Sequence, residues 1–435
     1  MKSLAFPYQF LLHATINQKR LIILICVILP VFVDAAYGFT TMLGKAVPFG
    51  VIYRGAIWFY GVILILVDFY NRKSVHWLFL ILMSYPLFML IWALQYGEGF
   101  SLNIELIYAF KITYGFILFH IFHHFKLLPA DILKGLVIHA ILIGAFFLFS
   151  IVTGIGLDTY GEYAFGISSF FSAGYEIGIL LLGILGFHIF LNPLQLRRRN
   201  RVVISILLSV SLFSIGSTTS VFGTLFILML YSFLRLTQLR TYYVISYFIK
   251  GITITITLIL VCLSLIFIVR FIQENHYLRN KYETFLKEGP RSELRKMASK
   301  TLNQEKFSEK LIGHGVSTFY YRFGADLAAR IGHQYNKDKY RSVEMDFFDI
   351  LGRSYLLGGL FLLIYGYFYW TILNHTIKYK TTENKTYLLV FSLLLFHSMI
   401  AGHVLFTPTV LQLVAYILYK TDLQNQKHIP SNILS

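Results

Sequence analysis

The stretch LIILICVILPVFVDAAYGF, residues 21–39, follows Lys19 and Arg20 and carries one charge, Asp34. As an α-helix it would be about 28 Å long, close to the roughly 30 Å hydrocarbon core of a bilayer. It lacks a small-residue cleavage site and many comparable runs follow it, so it reads as an uncleaved first membrane helix rather than a secretory signal. Apolar runs of this length recur along almost the whole chain, which predicts an all-α integral membrane protein. The short alternating pattern of an outer-membrane barrel is absent from the sequence. Composition agrees: 57% of the residues are hydrophobic, 17% aromatic and 14% charged, with a mean hydropathy of +0.65, far from a soluble globular domain.

Working outward from the first run, spans are predicted near residues 20–39, 51–70, 76–95, 101–123, 134–156, 172–192, 202–217, 219–236, 245–272, 350–371, 387–402 and 405–420, about twelve in all. With the N-terminus inside, the inner loops are basic: NRK (71–73), HHFK (123–126), LRRRNR (196–201) and KYKTTENK (378–385), with Lys420 and Lys427 in the tail. The outer loops YGEGF (96–100) and GLDTYGEYAFG (156–166) carry acids. This asymmetry predicts cytoplasmic termini. The net charge of +17 is spread between apolar spans with no soluble domain to present it, so nucleic acid is excluded as a partner and membrane lipid is the expected contact. Cys26 and Cys262 both fall inside spans, where they read as small core hydrophobes.

Three regions follow: spans one to nine (1–272), a large extracytoplasmic helical loop between helices 9 and 10 (273–349), and spans ten to twelve with a cytoplasmic tail (350–435). The loop holds 14 basic and 11 acidic residues, a net charge of +3; segments this long cross the membrane largely regardless of charge. It reads as a folded cap: RSELRKMASKTLNQEKFSEKL (291–311) as a helix, IGHG (312–315) as a turn, STFYYRFGADLAARI (317–331) as a second helix. Arg291, Arg295, Lys296 and Lys300 share one helical face. Such a face would clamp a diphosphate, whereas Glu288, Glu293 and Glu305 would make it a solvated amphipathic face.

Asp34, Arg54, Glu105, Glu176 and Arg353 are all predicted within about two helical turns of the outer surface, with Lys111 deeper, about 15 Å below the start of its helix. Charge inside a span is costly and marks function unless it snorkels to the interface. Glu176 is too short and Lys111 too deep to do so easily. Together with the cap, these residues suggest a polar vestibule on the extracytoplasmic side.

GISSFFSAGYEIGILLLG (166–183), GPRSELRKMASKTLNQEKFSEKLIGHGVSTF (289–319) and VEMDFFDILGRSYLLGGLFLL (343–363) resemble three segments of the O-antigen ligase and polymerase superfamily, the Wzy-type membrane glycosyltransferases of GT-C class. They are similar to that family's glycine-rich entry into a middle helix, its arginine-led loop helix with a G-x-G turn, and its acidic return into the membrane. Tyr175 stands where asparagine is common in the family, and Thr218 where many relatives have arginine. The second difference removes one phosphate contact, for which Arg54 or Arg322 is the replacement.

The resemblance implies a GT-C-like polymerase of the bacterial cytoplasmic membrane, joining undecaprenyl-diphosphate-linked oligosaccharides into a surface polysaccharide on the outer face. It implies Arg291, Arg295 and Arg54 on the diphosphate, and Glu344 and Asp346 as catalytic bases with Asp349 and Glu176 in reserve. Glu176, Arg322 and Tyr320 would line the vestibule that takes the glycan. No cofactor or metal is expected; a flippase and a chain-length regulator are the expected assembly partners. An O-antigen ligase, a lipid-oligosaccharide flippase and a non-catalytic assembly subunit are the alternatives. His314 and His333, in the same loop, are further candidate bases, although a turn histidine is more often structural or merely exposed. His120, His123 and His124 share a helix face as metal ligands do, but no acid lies close to them in sequence, and interfacial anchoring accounts for them.

Overall fold

The computed structural model describes residues 15–45, 47–71, 76–95, 99–159, 166–238, 292–304, 307–331, 342–402 and 404–428. The span expected at 245–272, the first part of the cap with Arg291, and His333 lie outside the described residues.

The described chain is helical. Its helices are α1 (Ile16–Met42), α2 (Phe49–Tyr70), α3 (His76–Gln95), α4 (Leu102–His124), α5 (Pro129–Thr153), α6 (Gly174–Leu191), α7 (Arg198–Ile215) and α8 (Thr218–Gln238). Then come α9 (Ser292–Asn303), α10 (Phe307–Ile312), α11 (Gly315–Ile331), α12 (Asp346–Leu351), α13 (Tyr355–Tyr379), α14 (Thr382–Ile400) and α15 (Pro408–His428). A short antiparallel pair, β1 (Leu157–Asp158) and β2 (Ile167–Ser169), interrupts the helices between α5 and α6. Six helices, α1, α2, α4, α5, α6 and α13, are long and apolar enough to cross a membrane by length and composition. Large apolar side chains such as Phe59, Ile63, Leu363 and Trp370 are exposed on their outer faces, as a hydrocarbon solvent allows and water does not.

Helices α2 and α4 run side by side in the same direction. Trp58 Nε1 donates to Thr113 Oγ1 at 2.8 Å, Gly61 leaves room for the Ile117 side chain, and Asp68 meets His120 and His124 at the far end. A side chain at Gly61 would collide with Ile117 and force these helices apart. Helix α1 widens to a five-residue π-turn at Leu24–Ile28 just before Pro30. Proline has no N–H to continue the ladder, and Leu29 N bonds Leu24 O at 2.8 Å in place of Ile25 O. The carbonyls thus released find other donors: Tyr53 Oη reaches Ile25 O at 2.8 Å and His139 Nδ1 reaches Val27 O at 2.5 Å.

A second, smaller apolar core lies at one end of the bundle: Met297, Ala298, Leu302, Val316, Phe319, Tyr320, Phe323, Val343 and Met345, packed on Ile104 and Tyr108 of α4. This is the described part of the cap. The hydrogen bonds that fasten it to the helices below include Trp92 Nε1 to Ile312 O (3.0 Å), Ser354 Oγ to Leu311 O (2.8 Å) and Ser317 N to Glu105 Oε1 (2.6 Å). At the opposite end the ties are Tyr419 Oη to Leu127 O (2.7 Å) and Lys19 Nζ to Lys126 O (3.3 Å).

The cap helix expected over 291–311 is two helices, α9 and α10. Helices α5, α13, α14 and α15 extend five to eight residues past the ends read from hydropathy at one terminus each, as from Pro129 rather than 134 and to Tyr379 rather than 371. Hydropathy marks where the chain leaves hydrocarbon. The backbone ladder continues until a cap stops it: Leu128 precedes Pro129 at the first helical position, and Lys380 closes α13 in the left-handed region at φ 50°.

Candidate functional site

At the cap end, a cavity of about 220 Å³ opens between α1, α2, α4, α6 and the loop into α15. Four ionisable side chains line it, one from each of the first four elements: Asp34, Arg54, Lys111 and Glu176. Tyr37, Ser172, Thr407 and Thr409 add hydroxyls, and Phe171, Ile177, Phe406, Pro408 and Val51 supply apolar wall.

Arg54 is the best-held of the four. Its Nη2 lies 2.5 Å from Asp34 Oδ2 and donates to Thr409 Oγ1 at 2.8 Å, while Thr409 Oγ1 donates to Asp34 Oδ2 at 3.3 Å. This triangle ties α1, α2 and α15 together, and Gly50 leaves room for it: a Cβ there would sit 3.0 Å from Arg54 Nη1 and 3.2 Å from Asp34 Oδ1. Arg54 Nε is buried without a hydrogen-bond partner, so part of the guanidinium fork is left for another acceptor. The side chain is 8% exposed; it does not snorkel.

Glu176, in the first turn of α6, faces Lys111 and the Thr407 hydroxyl. A carboxylate is favoured at a helix N-terminus. Lys111 Nζ also lies 5.0 Å above the Tyr108 ring, a cation–π contact. With α6 and α15 both starting at its wall, the cavity combines two fixed cations, two carboxylates and backbone N–H groups, a set suited to an anion together with a neutral hydroxyl-rich molecule.

Glu105 and Arg353, expected in the same vestibule, are instead buried under the cap at 0% and 1% exposure. Glu105 Oε1 accepts from Ser317 N and Oγ at 2.6 and 2.7 Å, capping the start of α11 from another helix. Arg353 Nη1 donates to Tyr85 Oη at 2.8 Å, and its guanidinium stacks 4.6 Å from the Phe406 ring and 5.3 Å from Tyr108. Tyr108 and Phe406 therefore form a wall with Lys111 on the cavity side and Arg353 beneath the cap. The GHG turn is structural: Gly313 (φ 78°) and Gly315 (φ 79°) let His314 N and Gly315 N bond Arg353 O at 3.1 and 3.2 Å.

The acidic run 343–349 sits beside the cavity. Asp346 Oδ2 accepts from Val404 N and Leu405 N, both at 2.9 Å, and so fixes the loop that carries Phe406 and Thr407 and leads to Thr409 in the first turn of α15. Glu344 is half-buried in the left-handed region (φ 60°), with its carbonyl against Gly402 (φ 67°) of that same loop. Asp349 Oδ1 accepts from Val343 N at 3.0 Å; burial first, and the neighbouring Asp346 second, push its carboxyl up to about 7. Tyr320 is buried edge-to-face against Tyr108, centroids 5.2 Å apart. Arg322 is half-buried and Arg295 exposed on the cap surface. Of the expected site residues, Arg54 and Glu176 line the cavity, with Asp34 and Lys111, which had been expected only for their depth. Thr407 and Thr409 carried no signal beyond a helix start at Pro408.

No protein-family model matches the chain, and no curated protein matches it.

Proposed function

We propose that the protein is a membrane glycosyltransferase that polymerises lipid-diphosphate-linked oligosaccharides, with about twelve spans, both termini cytoplasmic and the cap on the outer face. The reading rests on one observation above all. Four ionisable side chains from four elements converge on a cavity at the cap end of an apolar bundle, and one of them, Arg54, keeps a buried donor unused. Charge gathered so expensively within a bilayer marks a polar substrate, and the resemblance of residues 166–183, 289–319 and 343–363 to Wzy-type polymerases supplies its class.

In this reading Arg54 and Lys111 hold the diphosphate and Glu176 is the base. The acceptor hydroxyl oxygen bonds the anomeric carbon of the donor and gives its proton to Glu176. The anomeric carbon's bond to the diphosphate oxygen breaks, and the lipid diphosphate departs with the electron pair. Donated hydrogen bonds stabilise that departing charge. Asp346 acts by holding the 404–409 loop in place.

The test is incubation of the purified chain with lipid-linked repeat units extracted from its host. A ladder of products is expected. A single transfer to a different acceptor would make the protein a ligase, and folded protein that turns over none of the extract would overturn the reading.

A further inference from the structure

At the end of the bundle opposite the cap, Asp68 of α2 lies against two histidines of α4 that are one helical turn apart. Asp68 Oδ2 is 2.6 Å from His124 Nδ1 and 3.3 Å from His120 Nε2. One ligating atom from each of the three residues falls within 4.8 Å of the other two, and the side chains are only 3–4% exposed. We propose that Asp68, His120 and His124 bind a divalent transition-metal ion of the zinc class, with a fourth position left for water.

Three observations carry this. First, His120 Nε2 lies 3.3 Å from the carboxylate oxygen yet makes no hydrogen bond with it, and His124 Nε2 is buried without a hydrogen-bond partner. Ligand atoms on neighbouring vertices of a tetrahedral site with bonds of about 2.0–2.1 Å are about 3.3 Å apart, the separation already present for one pair. Second, α2 and α4 both end here, at Tyr70 and His124. Two helix C-termini and a carboxylate in one buried place create a negative potential that a cation relieves. Third, two imidazoles with one carboxylate suit zinc and its neighbours, whereas calcium and magnesium call for oxygen ligands. His123, on the other side of the turn, points elsewhere: its Nε2 lies 3.1 Å from Asp422 Oδ2 on α15. The site lies at the other end of the helices from the cavity of Arg54 and Lys111, so it stands independently of the glycosyltransferase reading. Its consequence would be a staple between the ends of α2 and α4.

The untagged full-length chain, purified in detergent and stripped with a chelator, would be titrated with Co2+ and then with Zn2+. The expected result is one Co2+ per chain with the strong visible d–d absorption of a four-coordinate nitrogen–oxygen site, bleached by one equivalent of Zn2+. Asp68→Asn and His124→Gln should each weaken binding by at least about tenfold, while His188→Gln, at a buried histidine elsewhere in the bundle, should leave it unchanged. Wild-type protein that gives only weak six-coordinate bands, or none, would overturn the proposal without recourse to any variant. So would a band that persists undiminished in both site variants.

Discussion

Carboxylates crowd the cap end, and their surroundings give them different work. Glu176 faces an ammonium and a hydroxyl in an open cavity, whereas Asp346 spends one oxygen on two backbone N–H groups of the 404–405 turn. If the chain is the polymerase proposed above and Glu176 its base, Glu176→Gln should lower the polymerisation rate by about 10²–10⁴-fold, the usual worth of a general base, while leaving thermal stability and donor binding near wild type. Asp346→Asn should cost about 1–3 kcal/mol of stability, because the two N–H groups would then donate to a neutral amide oxygen in place of a charged carboxylate, and any rate loss should follow the misplaced loop. Rates measured on protein matched for folded fraction separate the two; full activity in Glu176→Gln would remove it as the base. Asp349 behaves differently again. Its carboxyl is held near 7 by burial and by Asp346, above its unfolded value of 3.8. The native state thus binds the extra proton between those limits, so this group's contribution to stability is intact at low pH, falls as pH rises towards 7, and is flat above it. Asp349→Asn, which keeps an acceptor for Val343 N, should melt higher relative to wild type at pH 8 than at pH 5; equal differences at both values would show that the aspartate is not held protonated.

Elements rather than residues decide where the cap sits. Glycines 313 and 315 adopt positive φ so that two N–H groups reach Arg353 O, and a Cβ at Gly315 would meet the Glu105 carboxylate at 2.5 Å. Gly315→Ala should strain the turn and push Glu105 off the α11 N-terminus, where a cap is worth about 1 kcal/mol. The expected outcome is faster proteolytic cleavage within 292–331 at unchanged helix content; unchanged cleavage would show the cap held by its apolar core alone. This scale also shows what the sequence could reveal. Apolar runs disclosed the helices and the 3.6-residue pattern disclosed α9 and α11, because both depend on neighbours close along the chain. Depth counting placed Asp34, Arg54 and Glu176 at one level but could not separate them from Glu105 and Arg353. That division depends on Tyr108 and Phe406, which come from α4 and the loop before α15 and meet only in the folded molecule. The partner of His120 and His124 was hidden in the same way, since Asp68 lies 52 residues before the first of them and on another helix.

Across the whole molecule the two ends differ in charge as well as in architecture. Among the described residues the long helices alternate in direction from α1 to α8 and again from α13 to α15, with α4 following α2 in the same sense after α3 returns, so that Glu105, Ser354 and Thr409 lie at the cap end and Lys126, Lys380 and Lys420 at the other. The basic start of α7, with Arg197 just before the helix and Arg198, Arg199 and Arg201 in its first turn, belongs to that second end, because His188 Nε2 of α6 reaches Arg201 O at 3.2 Å. Short connections rich in Lys and Arg stay on the cytoplasmic side during insertion, which would put the cap and the Arg54 cavity outside. Two exposed residues report the orientation directly: Arg295 on the cap surface and Arg198 at the start of α7. In a background with Cys26 and Cys262 replaced by serine, Arg295→Cys should react with a membrane-impermeant maleimide in intact cells. Arg198→Cys should react only after permeabilisation. The reverse pattern would place the cavity in the cytosol, where no lipid-linked glycan already translocated across the membrane could reach it, and the polymerase reading would fall with the topology.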